Sequence, residues 1–429
     1  MDDHDMNELN ARLDARCKGY PPAAAPCAPG RIGERGWNLY RDDLSYPVAV
    51  LDAGALEHNL RWMQAFAEAR GVVLAPHGKT TMSPEIFRRQ LRAGAWGLTF
   101  ATVCQAGVGV RAGARRIVIA NQVVADADLD GLAALLAAHD GLRIWFLVDS
   151  EAQAGVIEDW GRRRGRAAPL DCLLEIGVPG QRTGCRTAGQ ALALARRIRA
   201  SGALRLGGIE CYEGGLARGD LRRDEADVAA FLERVGAIAR DCDREGLFED
   251  AEILLSAGGS AVFDVVAPAL RAGLSRPVRG VLRSGCYIAH DHDFYAGMLR
   301  NVEARLGLET DGSLRPALSV WTMVQSVPEP GLALLGCGKR DISHDLSLPQ
   351  PVGHAPRGAL ERRPAPPSWK LTALNDHHAY LRFDPGQAPA VGDRVILGIS
   401  HPCTTFDKWT WMPLADDRGG VVGAVTIHF

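Results

Sequence analysis

Short apolar runs alternate with longer stretches of helical period over the first two thirds of the chain. The runs, at 48–51, 72–75, 97–101, 116–119, 143–148, 171–175, 206–211, 253–256 and 278–282, are rich in Val, Ile and Leu and read as strands. Between them, segments such as 83–93, 103–112, 151–163, 188–200 and 224–245 repeat their apolar positions at helical spacing. This alternation predicts β-α units around a parallel sheet. Eight or so units in one domain-sized stretch favour a closed (β/α)8 TIM-type barrel over an open doubly wound sheet. The open alternative also lacks its usual mark, since no Gly-x-Gly-x-x-Gly follows an early strand.

Beyond about Arg315 the pattern changes. Segments 319–326, 370–372, 378–383, 394–399 and 421–428 read as strands with little helix between them, which predicts a C-terminal β domain. The stretch 348–367, rich in Pro, Arg and Gly, reads as a surface loop or hairpin excursion. Pro21, Pro22, Pro26 and Pro29 make the first residues an extended arm. The expected division is therefore an arm over 1–32, a barrel over 33–312 and a β domain over 313–429.

Composition narrows the function classes. With 49 basic against 51 acidic residues and a net charge of −2, no global field favours nucleic acid or an anionic membrane. No uninterrupted apolar run is long enough for a bilayer. The acidic, polar start MDDHDMNELNARLD is unlike a secretory signal, so a cytoplasmic protein is expected. Ten cysteines without a Cys-x-x-Cys pair fit reduced thiols in that compartment. Small polar partners are the remaining class.

Two motifs carry the candidate chemistry. In APHGKTTM, Lys79 falls between a strand and the helix that Ser83 and Pro84 would start, which in a barrel is the C-terminal mouth where reacting groups gather. Arginine outnumbers lysine heavily here, so a lysine in a Gly-containing turn stands out as an amine for Schiff-base chemistry. In HPCTTFDKW, strand alternation would point His401 and Cys403 to one side, where they could share a metal ion; a turn histidine and a buried free cysteine is the plainer alternative.

Glycine-rich turns SAGGSAVFD and RSGCYIAHD follow late strands. Backbone amides of Gly258, Gly259 and Ser260 would make an anion nest, or simply a tight turn with a serine cap. Together with Lys79 they suggest pyridoxal phosphate, which needs both a lysine and a phosphate cradle. Arg182 in EIGVPGQRTG and Tyr212 in GIECYEGG are placed to contact such a cofactor's ring, or to pack. NDHHAYL adds His377 and His378 as acid, base or further metal ligand.

After about Leu44 these motifs resemble the D-serine dehydratase and D-threonine aldolase family, pyridoxal phosphate enzymes of fold type III with an alanine-racemase-like barrel. Pro76, His77, Lys79 and Thr80 match its lysine motif, QRTG its barrel arginine segment, and SAGGS and SGCY its phosphate loops. HPCTTFDKW is similar to the metal motif of the dehydratase branch, where the aldolase branch usually has Asp in place of Cys403. Two positions depart from the pattern: Thr81 stands where many members carry histidine, and NDHH replaces the commoner Glu-His-Gly.

The resemblance implies a barrel of the alanine racemase N-terminal type, with Lys79 as Schiff-base lysine and Zn2+ on His401 and Cys403. It further implies cofactor contacts from His77, Arg182, Tyr212, Gly258, Gly259, Ser260, Gly285, Cys286 and Tyr287, and His377 joins Lys79 as a candidate catalytic residue. The expected activity is a pyridoxal phosphate- and zinc-dependent lyase of D-amino acid metabolism, eliminating water and ammonia from a D-β-hydroxy amino acid such as D-serine. Retro-aldol cleavage of D-threonine-like substrates is the nearest alternative, with a racemase or a non-catalytic cofactor carrier further off. A homodimer is expected by analogy.

Overall fold

The computed structural model describes residues 12–166, 168–309 and 312–429. Eight strands form one parallel sheet: β2 (Val73–Leu74), β3 (Leu98–Phe100), β4 (Arg116–Gln122), β5 (Arg143–Val148), β6 (Leu170–Ile176), β7 (Leu204–Cys211), β8 (Ile253–Ala257) and β9 (Val278–Leu282), in the order β2-β9-β8-β7-β6-β5-β4-β3. The sheet closes on itself where His77 pairs in parallel with Thr99, and the Trp96 and Thr99 amides donate to Leu74 and Pro76 carbonyls at 2.8 and 2.9 Å. The predicted barrel is thus present. Its interior is filled by Ala75, Val118, Trp145, Leu147, Leu173, Leu254 and Val281, the packed core usual in such barrels.

Four of the helices begin where a strand has just delivered a capping side chain to the barrel mouth. Ser83, Thr102 and Ser150 accept hydrogen bonds from the amides of Ile86, Gln105 and Gln153, and Thr187 forms a reciprocal box with Gln190. These caps start helices α2 (Pro84–Arg92), α3 (Val103–Arg111), α5 (Glu151–Arg163) and α6 (Ala188–Ala200), while α1 (Ala53–Ala69) and α4 (Asp126–Ala138) complete the first half of the ring. The second half holds α7 (Leu221–Arg244), α8 (Phe263–Ala269) and α9 (Phe294–Leu306). Among the described residues no helix is long and apolar enough to cross a membrane.

The first expected barrel strand belongs elsewhere. β1 (Val48–Asp52) pairs antiparallel with β10 (Leu318–Glu329) and parallel with β17 (Trp411–Ala415) in the C-terminal sheet. It is apolar on both faces because Val48 and Val50 pack against Tyr40, Trp321 and Trp411 while Ala49 and Leu51 face the larger core. That pattern is the one a barrel strand would also show.

The C-terminal sheet continues through β16 (Arg394–Gly398), β12 (Gln350–Ala355) and β13 (Arg363–Pro364) on one side and β18 (Val421–Thr426) on the other. β12 and β13 are antiparallel, so the 348–367 excursion is a hairpin. The far end of β10 turns into β11 (Leu332–Leu335), which pairs with β15 (Ala379–Arg382) and through it β14 (Lys370–Leu374).

The N-terminal segment is not an extended arm. Leu13 bridges to Cys27, Pro29 starts a 3-10 helix through Arg35, and Tyr20 and Ile32 are buried, with Tyr20 set edge-on to Trp37 and Trp411. The prolines serve turns and a helix start here. Residues 1–11 of the expected arm lie outside the described part.

Candidate active site

Lys79 sits in the 3-10 turn Gly78–Thr80 directly after β2, at the carboxyl end of the barrel. The turn leaves no room for a side chain at Gly78, where a Cβ would come within 2.4 Å of Phe100. Lys79 lines a cavity of about 320 Å³ together with His77, Arg182, Tyr212, Gly258, Gly259, Ser260, Gly285, Cys286, His401 and Cys403. Eleven of the thirteen residues expected from sequence therefore converge there, although they come from segments up to 326 positions apart.

The other two do not. Tyr287 is buried behind the cavity wall, its hydroxyl accepting from Gln90 at 3.2 Å, because the 3-10 turn after Cys286 directs it into the core. His377 stands exposed between β14 and β15, its Nδ1 3.9 Å from Asp341, and does not line the cavity.

Burial lowers the pKa of the Lys79 amine; Cys403 nearby opposes this, and Arg182 adds to it. His77 is held well below its ordinary range by burial and by Lys79. Deeper in the barrel, Arg283 pairs with Glu210, whose carboxyl burial pushes up to about 8 despite the guanidinium. His77 Nδ1, Glu210 Oε2 and Arg283 Nε are buried without a partner among the described residues, as expected of groups around a polar guest.

The glycine turn is braced from within the chain. Glu213, fully buried, accepts from the amides of Gly258 and Gly259 at 3.0 and 2.8 Å. The expected nest thus holds an anion, and that anion is Glu213. The neighbouring turn is equally close-packed: a Cβ on Gly285 would come within 2.6 Å of the His77 carbonyl oxygen, and the Cys286 amide donates to Ser260 Oγ at 3.3 Å. Across the mouth, the Arg182 guanidinium lies 4.5 Å from the centre of the Tyr212 ring.

The β domain closes the cavity with His401 and Cys403, the latter starting a short helix, α10 (Cys403–Phe406). Cys403 Sγ lies 3.7 Å from Cys286 Sγ and 3.5 Å from Thr80 Oγ1. Its thiol is held well below the usual range by the Cys286 thiol and by His401, while that of Cys286 is raised. Burial works against a charged His401, but Cys403 and Asp345 outweigh it and raise the imidazole to about 9. Among the described residues no cluster of three or more His, Cys, Asp or Glu side chains is already arranged as a ligand set.

Sequence reading passed over Glu175, Glu210, Arg283 and Tyr295, which also line the cavity. For the first three a signal exists: each charge sits at or just past the carboxyl end of a buried strand, where a structural role is hard to justify.

Barrel and cavity define an enzyme whose reacting groups gather at the strands' carboxyl ends, under a β lid. Residues 51–292 match the alanine racemase N-terminal domain family and residues 317–415 the serine dehydratase domain family. The chain belongs to the former, in the pyridoxal phosphate-dependent group that contains D-threonine aldolase and D-threo-3-hydroxyaspartate dehydratase.

It is 30% identical to a D-threonine aldolase from Arthrobacter sp. over 405 residues, 94% of either chain. Identity to D-threo-3-hydroxyaspartate dehydratase from Delftia sp. (strain HT23) is 29% over 376 residues, 84% of this chain and 92% of that one. The structure of a D-threonine aldolase from Filomicrobium marinum superimposes with a TM-score of 0.75 at 25% identity, covering 93% of this chain and 98% of the other. A mutant of D-threo-3-hydroxyaspartate dehydratase with a cysteine changed to alanine, in the metal-free form, superimposes with a TM-score of 0.68 at 26% identity over 90% of this chain and 98% of that one. A second mutant, changed from histidine to alanine two positions earlier, gives 0.71 at 25% over 92% and 98%.

Proposed function

We propose that this chain is a pyridoxal phosphate- and zinc-dependent lyase that eliminates water from a D-β-hydroxy amino acid, D-serine or a close relative, to give a 2-oxo acid and ammonia. The observation that carries the reading is a single cavity lined at once by Lys79, by the glycine turns of two late strands and by His401 with Cys403.

The residues suit both groups. A buried amine with a lowered pKa is suited to Schiff-base formation, and the unpartnered His77, Glu210 and Arg283 atoms are what a polar ring would engage. A thiol held toward thiolate beside an imidazole is a zinc-type donor pair. Its His-x-Cys spacing equals that of the two mutated positions in the dehydratase relative. When bound, pyridoxal phosphate supplies an electron sink beside the substrate's α-carbon and zinc a Lewis acid for its β-hydroxyl.

In this reading Lys79 takes the α-proton. Ser260 and the turn at Gly285–Cys286 hold the phosphate end, while Glu213, which occupies the Gly258 and Gly259 amides, keeps the first turn rigid. Arg182 and Tyr212 flank the ring, and His401 and Cys403 present the metal to the hydroxyl. The exposed His377 is dropped as a catalytic candidate.

Retro-aldol cleavage is the second reading, and the 30% identity to a D-threonine aldolase favours it. Both reactions begin with the same substrate class. Incubation with D-serine, D-threonine and 3-hydroxy-D-aspartate separates them: ammonia with a 2-oxo acid supports elimination, whereas glycine with an aldehyde replaces it by cleavage. A pure protein that stays colourless when supplied with pyridoxal phosphate overturns both.

A further inference from the structure

The loop after β11 carries a carboxylate that none of the motifs included. Asp345 Oδ2 accepts from His401 Nδ1 at 2.6 Å, and Asp345 Oδ1 accepts from the Thr404 hydroxyl at 2.7 Å. Both oxygens are thus engaged, one by each neighbour of the Pro402–Cys403 pair, which fixes the carboxylate plane. A carboxylate can only accept, so Nδ1 keeps its proton and Nε2 is the nitrogen that can give its own up and offer a lone pair to a metal.

The two loops are tied along their backbones as well. His401 N–H donates to Ser343 Oγ, Ser343 N–H donates to Thr405 Oγ1, each at 3.2 Å, and the Thr405 hydroxyl donates to the His401 carbonyl at 3.1 Å. Four residues before Asp345, the buried Asp341 accepts from Lys18 at 2.9 Å, and its carbonyl accepts from Trp409 Nε1 at 2.9 Å while the Lys18 ammonium lies 3.9 Å over the Trp409 ring. The N-terminal segment therefore anchors the loop from which Asp345 reaches His401.

We propose that Asp345 is the positioning residue for His401, orienting the imidazole so that Nε2, together with Cys403, meets the metal. The assignment rests on the metal reading above. It is separable from a plain ion pair by magnitude. The Asp345 side chain is 42% exposed, and a pair that open contributes little to stability. A carboxylate that orients a ligating histidine instead changes metal affinity about 10–100-fold.

The test is zinc affinity of the full chain, measured by competition with a chromophoric chelator, alongside thermal melting of the zinc-free protein. Asp345→Ala is expected to weaken zinc about 10–100-fold with little change in melting, and Asp345→Asn, which keeps an acceptor, to weaken it less. Wild-type uptake that is lost in His401→Ala but unchanged in Asp345→Ala overturns the assignment alone. A wild-type protein that takes up no zinc, or a His401→Ala protein that binds it as tightly, overturns the metal reading and the assignment with it.

Discussion

Cys286, in the 3-10 turn after the last barrel strand, and Cys403, on the β domain, bring their sulfurs to 3.7 Å across the cavity mouth. All ten cysteines are free thiols, and this pair joins the turn expected to hold the phosphate to the motif expected to hold the metal. The contact makes the mouth a place where barrel and lid can be covalently joined.

Peroxide treatment of the reduced, zinc-free protein is expected to link the pair: each thiol loses a proton and an electron, one S–S bond forms, and one peroxide becomes two waters. Non-reducing peptide mapping should find residues 286 and 403 in one species, and Cys286→Ser should abolish it. Zinc bound beforehand should slow the reaction by occupying Cys403. Peroxide that oxidises other cysteines first, leaving these two unlinked, contradicts the expectation.

Lys79→Ala should remove both the visible absorbance of the cofactor-loaded protein and turnover, by at least the 10²–10⁴-fold typical of a lost proton-transfer group. Lys79→Arg should not rescue it, since a guanidinium keeps its charge and does not form the Schiff base. Retained absorbance with retained turnover is the contrary outcome.

Glu213→Ala strands two amide donors, those of Gly258 and Gly259. At about 1–3 kcal/mol for each buried group left unpaired, urea unfolding should show a loss of roughly 2–6 kcal/mol, and Glu213→Gln, which keeps one acceptor, a smaller one. A change below about 0.5 kcal/mol, the range of ordinary surface substitutions, would show that the turn needs no brace.

Acid should weaken the fold partly through His290, which is 3% exposed and donates from Nδ1 to the Asp291 carbonyl at 3.1 Å. Burial holds its imidazole down at about 4, against about 6.5 in an unfolded chain. The unfolded state therefore takes up the proton first as pH falls. The stabilisation is complete above pH 6.5 and is lost between about 6.5 and 4, up to ~3 kcal/mol. Asp291, pushed up to about 6 by burial, works the other way, its contribution shrinking as pH rises from 3.8 to about 6. His290→Gln should flatten the acid limb of a urea-midpoint profile, and an unchanged slope would exclude His290 as its source.

The barrel was legible because its strands are short, apolar and regularly spaced, and Lys79 because it sits in a turn whose glycine is sterically required by Phe100. The partner of β1 was not: a strand buried on both faces carries no mark of which sheet it joins. β17 was hidden by Pro413, tolerated within it as it pairs with β18. Glu213 and Asp345 escaped notice because their partners lie 45 or 46 and 56 positions away, and His377 misled because a histidine-rich turn says nothing about which way its side chains face.

The path of the chain through β1 has a practical corollary. Residues 48–52 supply an inner strand of the C-terminal sheet, flanked by residues from positions 318–321 and 414–415, before any of the barrel has been made. A fragment cut at the end of the barrel would leave that sheet split along its middle, with β17 and β18 detached from β10. Dissecting this enzyme into separately expressed halves thus requires grafting the early strand onto the late segment, and during synthesis the lid can be completed only after residues 411–426 emerge.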